Sequence, residues 1–268
     1  MQAEKYVDLA RKAWDEAAPI HWRRSAALVE RFADPAATCL PPRHAQELLR
    51  IGLAGRRVAQ LNCNNGRELV SILGLGAREG TGFDISRAFI DQARQLAAAA
   101  RAPAEFVVTD VYQIPAAFDG TFDLVVVTAG ALCFMPDLRG YLAVAQRLLA
   151  SGGVLNIHDC HPITDMLELD RDRDRGERPV QLVRSYFDRR PLRHTSGLDY
   201  VGNTTYAASE VYYFHHTLAD IFQAAIASGL VVEHFDETPD DPSGAYPRLA
   251  RSEVLPPLSF MLTLKKPG

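Results

Sequence analysis

The chain has 268 residues, enough for one large domain, and its 47% hydrophobic and 23% charged residues are typical of a globular protein. A net charge of −4 argues against a nucleic-acid partner, and no apolar run approaches the roughly 20 residues that span a bilayer. The N-terminus does not resemble a signal peptide, and the four cysteines lack metal-type spacing. We therefore expect a cytoplasmic protein with free thiols, no metal and no membrane partner.

Residues 1–50 are predicted to be helical, with an interruption at Pro19. The residues that fall on one face at helical spacing are Tyr6, Leu9, Ala10, Ala13, Trp14 and Ala17.

Strands and helices then alternate. The predicted strands are Arg57–Leu61, Glu79–Asp84, Glu105–Thr109, Leu124–Thr128, Gly153–His158, Val231–Phe235 and Ser259–Leu264. The predicted helices are Gly66–Leu75, Arg87–Ala100, Tyr141–Ala150 and Thr217–Ser228, with a turn near Pro115. This pattern predicts an α/β, doubly wound, Rossmann-like fold with a seven-stranded, mostly parallel sheet and a ligand at the carboxyl ends of its strands.

A polar segment interrupts the alternation after the fifth strand. Its charged run DRDRDRGER at 170–178 is predicted to be a solvated face, while SYF at 185–187 and VYYF at 211–214 could pair as strands. We interpret residues 1–268 as one domain. Its parts are an N-terminal helical lid (1–50), a nucleotide-binding half (56–160), a substrate cap inserted after strand five (161–216), and the last helix with antiparallel strands (217–268).

The segment from Arg57 to Asp84 is the most informative part of the chain. A short apolar strand leads into the small, polar run Asn62–Gly66, and a second strand ends on the acid Asp84. A tight turn lets backbone N–H groups approach a ligand, and an acid at a strand tip can accept ribose hydroxyls. The G-x-G-x-x-G pattern of nicotinamide enzymes and the Walker phosphate loop are both absent from the sequence.

Four motifs, in order, carry a resemblance to a known family: VAQLNCNNG, GFDIS, TDVYQIP and FDLVVVTAGALCFMPD followed by YLAVAQRLLASGGVL. Over about Val58–Asp159 the chain resembles class I S-adenosylmethionine (SAM)-dependent methyltransferases. The resemblance implies SAM as cofactor and no required metal.

The resemblance also assigns cofactor contacts. Asp84 would accept the ribose hydroxyls, Asp110 and Val111 would bind adenine, and the Asn62–Gly66 turn would face the methionine end. The cofactor-binding set is Gln60, Leu61, Asn62, Cys63, Gly66, Asp84, Ile85, Asp110, Val111 and Thr128. The chain departs from the family at Gln60, where an acid is usual, and at Asn62 and Asn64, where glycine is usual. Asparagine tolerates positive φ better than most residues, so it can partly replace glycine there.

Methyl transfer needs an aligned acceptor and, for weak acceptors, a base. Histidine titrates near neutral pH, so we consider His161, His215 and His216, with Glu210 and Asp199 as carboxylate alternatives if they are buried. Each also has a structural interpretation: His161 as a loop residue, the His215–His216 pair as part of a helix cap beside Thr217, and Glu210 and Asp199 as exposed charges. His158, inside a strand, is expected to be structural.

Aromatic residues of the cap and the lid are candidates for acceptor binding, although aromatics also fill ordinary cores. The candidate substrate-binding residues are Trp14, Trp22, Tyr186, Tyr212 and Phe214. For Trp14, packing within the helical segment is the alternative.

The sequence thus predicts methyl transfer to a small molecule, at oxygen or carbon, in bacterial secondary metabolism; the bacterial origin is suggested by basic charge that is nearly all arginine. The alternatives are a SAM-binding protein that catalyses another reaction, such as a cyclisation, and a non-catalytic binding module. A homodimer is left open.

Overall fold

The computed structural model describes residues 2–25, 27–169, 180–199 and 205–268. The charged run at 170–178, with its predicted solvated face, lies outside the described residues. Among those described, no helix is long and apolar enough to cross a membrane.

Three helices precede the sheet: α1 (Gln2–Ser25), α2 (Ala27–Arg31) and α3 (Pro42–Ile51). The predicted interruption at Pro19 is wrong, because α1 continues through this residue. Proline removes one intrahelical hydrogen bond, but the flanking Ala17 and Ala18 are fully buried and Gln92 donates to the Ala18 carbonyl at 2.8 Å. Tertiary packing therefore holds the helix together across the proline.

Seven strands form the main sheet in the order β3-β2-β1-β4-β5-β9-β8. The strands are β1 (Arg57–Leu61), β2 (Glu79–Asp84), β3 (Ala104–Val108), β4 (Phe122–Val127), β5 (Leu149–Cys160), β8 (Val231–Thr238) and β9 (Ser259–Lys265). Neighbours among β1 to β5 pair in parallel, and β9 pairs antiparallel with both β5 and β8. This confirms the predicted doubly wound, mostly parallel fold.

The remaining helices are α4 (Arg67–Gly74), α5 (Arg87–Ala100), α6 (Leu138–Leu148) and α7 (Leu218–Ala227). Helix α6 begins and ends earlier than predicted. Asp137 caps it by accepting the Gly140 N–H at 2.9 Å, and β5 begins directly after it at Leu149. Helix α7 begins with a capping box between Thr217 and Asp220.

Side chains that alternate along each strand build two apolar layers. In β1, Ala59 and Leu61 face the layer with α6 and α7, while Val58 faces the layer with α3, α4 and α5. Both faces of the sheet are therefore covered, which leaves the strand ends as the place for a ligand.

The cap has a different construction from the one predicted. Strand β7 (Val211–Tyr213) pairs with β6 (Leu192–His194), not with Ser185–Phe187, and Phe187 is 77% exposed. The connection between β8 and β9 also joins the cap, because Tyr246 packs near Leu167 and donates its hydroxyl to the Thr164 carbonyl at 2.8 Å.

Gly66 marks a close approach between the loop after β1 and the sheet. Its φ is +72°, and a Cβ there would lie 2.6 Å from Phe106 Cε1. We expect Gly66→Ala to destabilise the fold by about 2–4 kcal/mol, through backbone strain plus overpacking. Gly120 also has positive φ (+63°) but has no atom within 4 Å of its added Cβ, so Gly120→Ala should cost only about 1 kcal/mol. Denaturant unfolding measures both, and equal losses would contradict the packing argument.

Candidate active site at the carboxyl edge of the sheet

A cavity of about 1380 Å³ opens at the carboxyl ends of the parallel strands and extends beneath the cap. The end where the cofactor is expected is lined by residues that follow β1 to β4. The other end is lined by the cap, α1 and the β8–β9 connection. The residues at the first end include Asn62, Asn64, Asp84, Ile85, Asp110, Val111 and Thr128.

The loop after β1 adopts the backbone that its asparagines predict. Asn62 has φ +52° and Asn64 has φ +51°, in the left-handed region that favours glycine and tolerates asparagine. The Asn62 side chain is fixed, since the buried Tyr141 hydroxyl donates to its Oδ1 at 2.8 Å. Asparagine thus keeps the turn that the usual glycines would form.

Asp84 stands at the tip of β2 and lines the cavity. Its two oxygens accept the backbone N–H groups of Asn64 (2.8 Å) and Ser86 (2.9 Å). Burial raises the pKa of this carboxyl to about 6, because desolvation outweighs those two hydrogen bonds. The carboxylate therefore has a fixed direction and is mostly ionised at neutral pH.

Asp110 and Val111 lie beyond β3, one strand away from Asp84. Asp110 caps a short 3₁₀ helix by accepting the Tyr112 N–H at 3.0 Å, and burial raises its pKa above the ordinary value. Ile85 and Thr128 also line this end. Five predicted cofactor residues therefore lie together on one wall of the cavity: Asp84, Ile85, Asp110, Val111 and Thr128.

The other predicted cofactor residues lie behind that wall. Leu61 and Cys63 are fully buried, and neither they nor Gly66 line the cavity, so they shape the loop from below. Gln60 is also fully buried; its Nε2 donates to Thr128 Oγ1 at 3.1 Å and its Oε1 has no partner. Its influence on the cavity is through Thr128.

The three candidate histidines all line the cavity but differ in their free nitrogens. In His161, Nδ1 accepts the Ile163 N–H at 3.1 Å and Nε2 lies 2.8 Å from Glu237 Oε1. In His215, Nδ1 lies 2.6 Å from Asp165 Oδ2 and Nε2 lies 2.7 Å from the Tyr186 carbonyl. Both rings therefore have both nitrogens occupied, which argues against either as the base.

His216 differs because only one of its nitrogens is used. Its Nε2–H donates to the Met135 carbonyl at 2.9 Å, so Nδ1 keeps its lone pair and has no hydrogen bond within the described residues. Burial lowers the pKa of His216 below its ordinary value of 6.5. A neutral imidazole with one free lone pair can accept a proton.

Two acidic residues lie where the sequence did not predict. Glu210 is outside the cavity wall and pairs with Arg193 Nε at 2.5 Å, so it is not positioned as a base. Asp199, expected to be exposed, is buried and lines the cavity, because the adjacent Leu198 is anchored to α1 by His21 Nε2 at 2.7 Å.

Of the predicted substrate-binding aromatics, Trp14 and Phe214 line the cavity. Trp22, Tyr186 and Tyr212 do not; the Tyr212 ring packs on Tyr6 at 4.9 Å. Tyr213, of the aromatic stretch at 211–214, also lines the cavity; sequence reasoning missed Phe134, which lines it too and packs on Tyr213 at 5.1 Å. The position of Phe134 could have predicted this, because its loop follows the carboxyl end of β4, where a ligand is expected.

Sequence reasoning also missed two neighbours at the end of β5. Asp159 accepts three backbone N–H groups, from Gly130 (2.6 Å), Leu132 (3.0 Å) and Cys160 (2.7 Å), and so anchors the loop after β4. Burial still raises its pKa to about 6. His158, expected to be structural, lines the cavity, and burial together with His44 lowers its pKa to about 3.

Buried histidines predict acid sensitivity. Burial lowers the pKa of four histidines: His44, His158, His161 and His216. Below about pH 6.5 these side chains therefore bind protons in the unfolded chain more readily than in the folded protein. Their contribution to stability is present above pH 6.5 and is lost as pH falls. For His158 alone, the loss at pH 5 is roughly 2 kcal/mol.

Three carboxyls act in the opposite direction: burial raises the pKa of Asp84, Asp110 and Asp159, which favours the folded state at low pH. The contribution of His158 is therefore measured by comparison, with urea unfolding of the unaltered protein and of His158→Phe at pH 7.5 and at pH 5. Between these pH values the free energy of unfolding should fall by roughly 2 kcal/mol more in the unaltered protein than in the variant. An equal change in the two proteins would contradict this assignment.

The fold and this wall are typical of α/β proteins that bind an adenosine ligand at the ends of their strands. Residues 58–153 match the family model described as a methyltransferase domain. No curated protein sequence matches the chain at a significant level. Residues 58–153 are therefore similar to a methyltransferase domain, and they contain the loop after β1, Asp84, Asp110 and Thr128.

Solved structures share the fold. A SAM-dependent methyltransferase from Mesorhizobium loti has TM-score 0.62 and 20% identity, covering 83% of this chain and 96% of that one. Geranyl diphosphate C-methyltransferase from Streptomyces coelicolor A3(2), solved with Mg²⁺, geranyl diphosphate and S-adenosylhomocysteine (SAH), has TM-score 0.55 and 13% identity, covering 84% and 78%. The [4+2]-cyclase SpnF has TM-score 0.56 and 14% identity, covering 87% and 84%.

The residues present fit SAM, the cofactor of the methyltransferases whose fold this chain shares. The carboxylate of Asp84 has a fixed direction and can accept hydrogen bonds from the two ribose hydroxyls. Asp110 lies one strand away, where its carboxylate can accept the N–H group of adenine. Among the described residues, no cluster of three His, Cys, Asp or Glu side chains could bind a metal ion.

Proposed function

We propose that this protein catalyses SAM-dependent methyl transfer to oxygen or carbon of a small-molecule acceptor. The observation that carries the proposal is a cavity that joins the Asp84 wall to an aromatic pocket, where His216 keeps Nδ1 free. Bound SAM supplies a methyl group on a positively charged sulfur, and the remaining chemistry belongs to the chain.

His216 is the proposed base. The acceptor lies over Phe134, Tyr213 and Phe214, and its hydroxyl or acidic carbon donates a proton to His216 Nδ1. SAM held by Asp84 and Asp110 would supply the methyl group, and proton removal by His216 would leave the acceptor atom with the electron pair that takes up this group. The Met135 carbonyl orients the imidazole by accepting the Nε2–H.

Calorimetric titration tests the cofactor part of the proposal. We expect micromolar binding of SAM and SAH and none of NADH, followed by SAH release when an acceptor is methylated. Absence of binding to both sulfur compounds would favour a non-catalytic module that kept the fold. The proposal includes a cytoplasmic setting in bacterial small-molecule biosynthesis, and light scattering would test a homodimer.

A second candidate is a cofactor-bound enzyme that does not methylate. It is favoured by Gln60, Asn62 and Asn64 at positions where the family usually has an acid and glycines, and by the fold shared with a cyclase. Turnover of an acceptor without SAH release would favour this candidate over methyl transfer.

A further inference from the structure

His158 is a buried imidazole with unused hydrogen-bonding capacity inside the cavity. It is 4% exposed, lines the cavity and packs on His44 at a ring distance of 4.6 Å, yet neither ring nitrogen has a hydrogen-bond partner within the described residues. A ring nitrogen that faces a cavity without a protein partner is available to a ligand group. His158 is neutral near pH 7 and a weak base, which argues against a proton-transfer role.

Thr128 lies beside it with the opposite capacity. Thr128 Oγ1 accepts the Gln60 Nε2–H at 3.1 Å, so its own O–H is left to donate elsewhere, and Thr128 lines the cavity. An acid at position 60 would instead accept that O–H. The glutamine therefore leaves a hydroxyl donor on Thr128 and a lone-pair acceptor on His158, at the ends of adjacent strands β4 and β5.

This pair matches a zwitterion, whose carboxylate accepts and whose ammonium donates hydrogen bonds. Arg67 and Glu68, which also line the cavity, neutralise each other in an ion pair at 2.7 Å, so this pair does not oppose a ligand group without net charge. From Asp84 on β2 to His158 on β5 is three strand spacings, or about 14 Å. An adenosine ligand with its ribose at Asp84 can direct an extended amino-acid chain across that span.

Resting on the proposed function, we propose that Thr128 and His158 bind the amino-acid end of the cofactor, with Thr128 donating to its carboxylate and His158 accepting from its ammonium. These are binding residues that act before any chemistry. The cofactor should therefore lose affinity without them even when no acceptor is present.

Calorimetry with SAH and with 5′-methylthioadenosine, which lacks the amino-acid end, tests this. His158→Phe is expected to weaken SAH about 10–100-fold, the effect of one hydrogen bond to a charged group, and to change methylthioadenosine less than twofold. Thr128→Val should behave alike, and His158→Gln, which keeps an acceptor, should recover part of the SAH affinity. His194→Phe, at the cap end of the same cavity, is the matched control and should leave the affinity for both ligands unchanged.

Equal losses for both ligands, or an unchanged SAH affinity, would overturn the assignment while leaving the proposed function intact. Failure of the unaltered protein to bind either ligand would overturn both. A rise in the acceptor KM with unchanged SAH affinity would place His158 in the acceptor pocket instead, and would also overturn it.

Discussion

Asp84→Ala is expected to weaken SAH binding more than a hundredfold. The carboxylate would lose two charge-assisted hydrogen bonds to ribose hydroxyls, each worth about 1.5–3 kcal/mol, and a loss of about 3 kcal/mol already exceeds a hundredfold. The loop would also lose its anchor, since Asn64 N–H donates to Asp84 Oδ2. Calorimetry measures the affinity, and a thermal unfolding scan verifies that the variant is folded.

The same carboxyl predicts how binding depends on pH. Burial raises the pKa of Asp84 to about 6, so the carboxylate that accepts two hydroxyls is present above this pH and is lost below it. SAH affinity should be constant above about pH 7 and fall up to about tenfold per unit below pH 6. Asp84→Asn should remove most of this dependence.

Asp91→Ala is the matched control for both measurements. Asp91 is an exposed acid on α5 that pairs with Arg94 at 2.9 Å, and its removal should leave SAH binding within twofold. Retention of micromolar SAH affinity in Asp84→Ala would show that the ribose is bound elsewhere.

His216→Gln is expected to lower turnover about 10²–10⁴-fold, the usual contribution of a positioned general base. Glutamine can still donate to the Met135 carbonyl, so the loop after β4 should keep its position, and SAH affinity should stay within twofold. The rate of the unaltered enzyme should rise with pH through a pKa below 6.5, the direction set by burial of the ring, and then stay level. The variant should lack this rise.

His161→Gln separates His216 from its main rival. Both His161 nitrogens are occupied, by Ile163 N–H and by Glu237, so this change should reduce turnover far less. If His161→Gln abolishes turnover while His216→Gln does not, the base is His161 and its contact with Glu237 opens during the reaction.

Local patterns were sufficient for the cofactor half. Strands β1 and β2 and helix α5 begin and end at the predicted residues, because apolar runs, turn residues and the Ser86 cap are all signals within a few positions of the chain. The positive φ of Asn62 and Asn64 follows from the same local chemistry. The order of motifs then identified the wall that contains Asp84 and Asp110.

Contacts between distant residues decided the rest. All three candidate bases line the cavity, and the contact of His216 Nε2 with the Met135 carbonyl, 81 residues away, leaves Nδ1 of that ring free. The role of Asp159 depends on a loop nearly 30 residues earlier, and the partner of β7 lies 17 or more residues back.

The sequence by itself therefore determined the fold class, the strand ends that form the site and the acids of the cofactor wall, because short-range periodicity and turn chemistry encode them. Only the tertiary structure decided which side chains face the cavity with unused hydrogen-bonding capacity. That property depends on what each donor and acceptor finds across the fold, and no pattern of neighbouring residues records it.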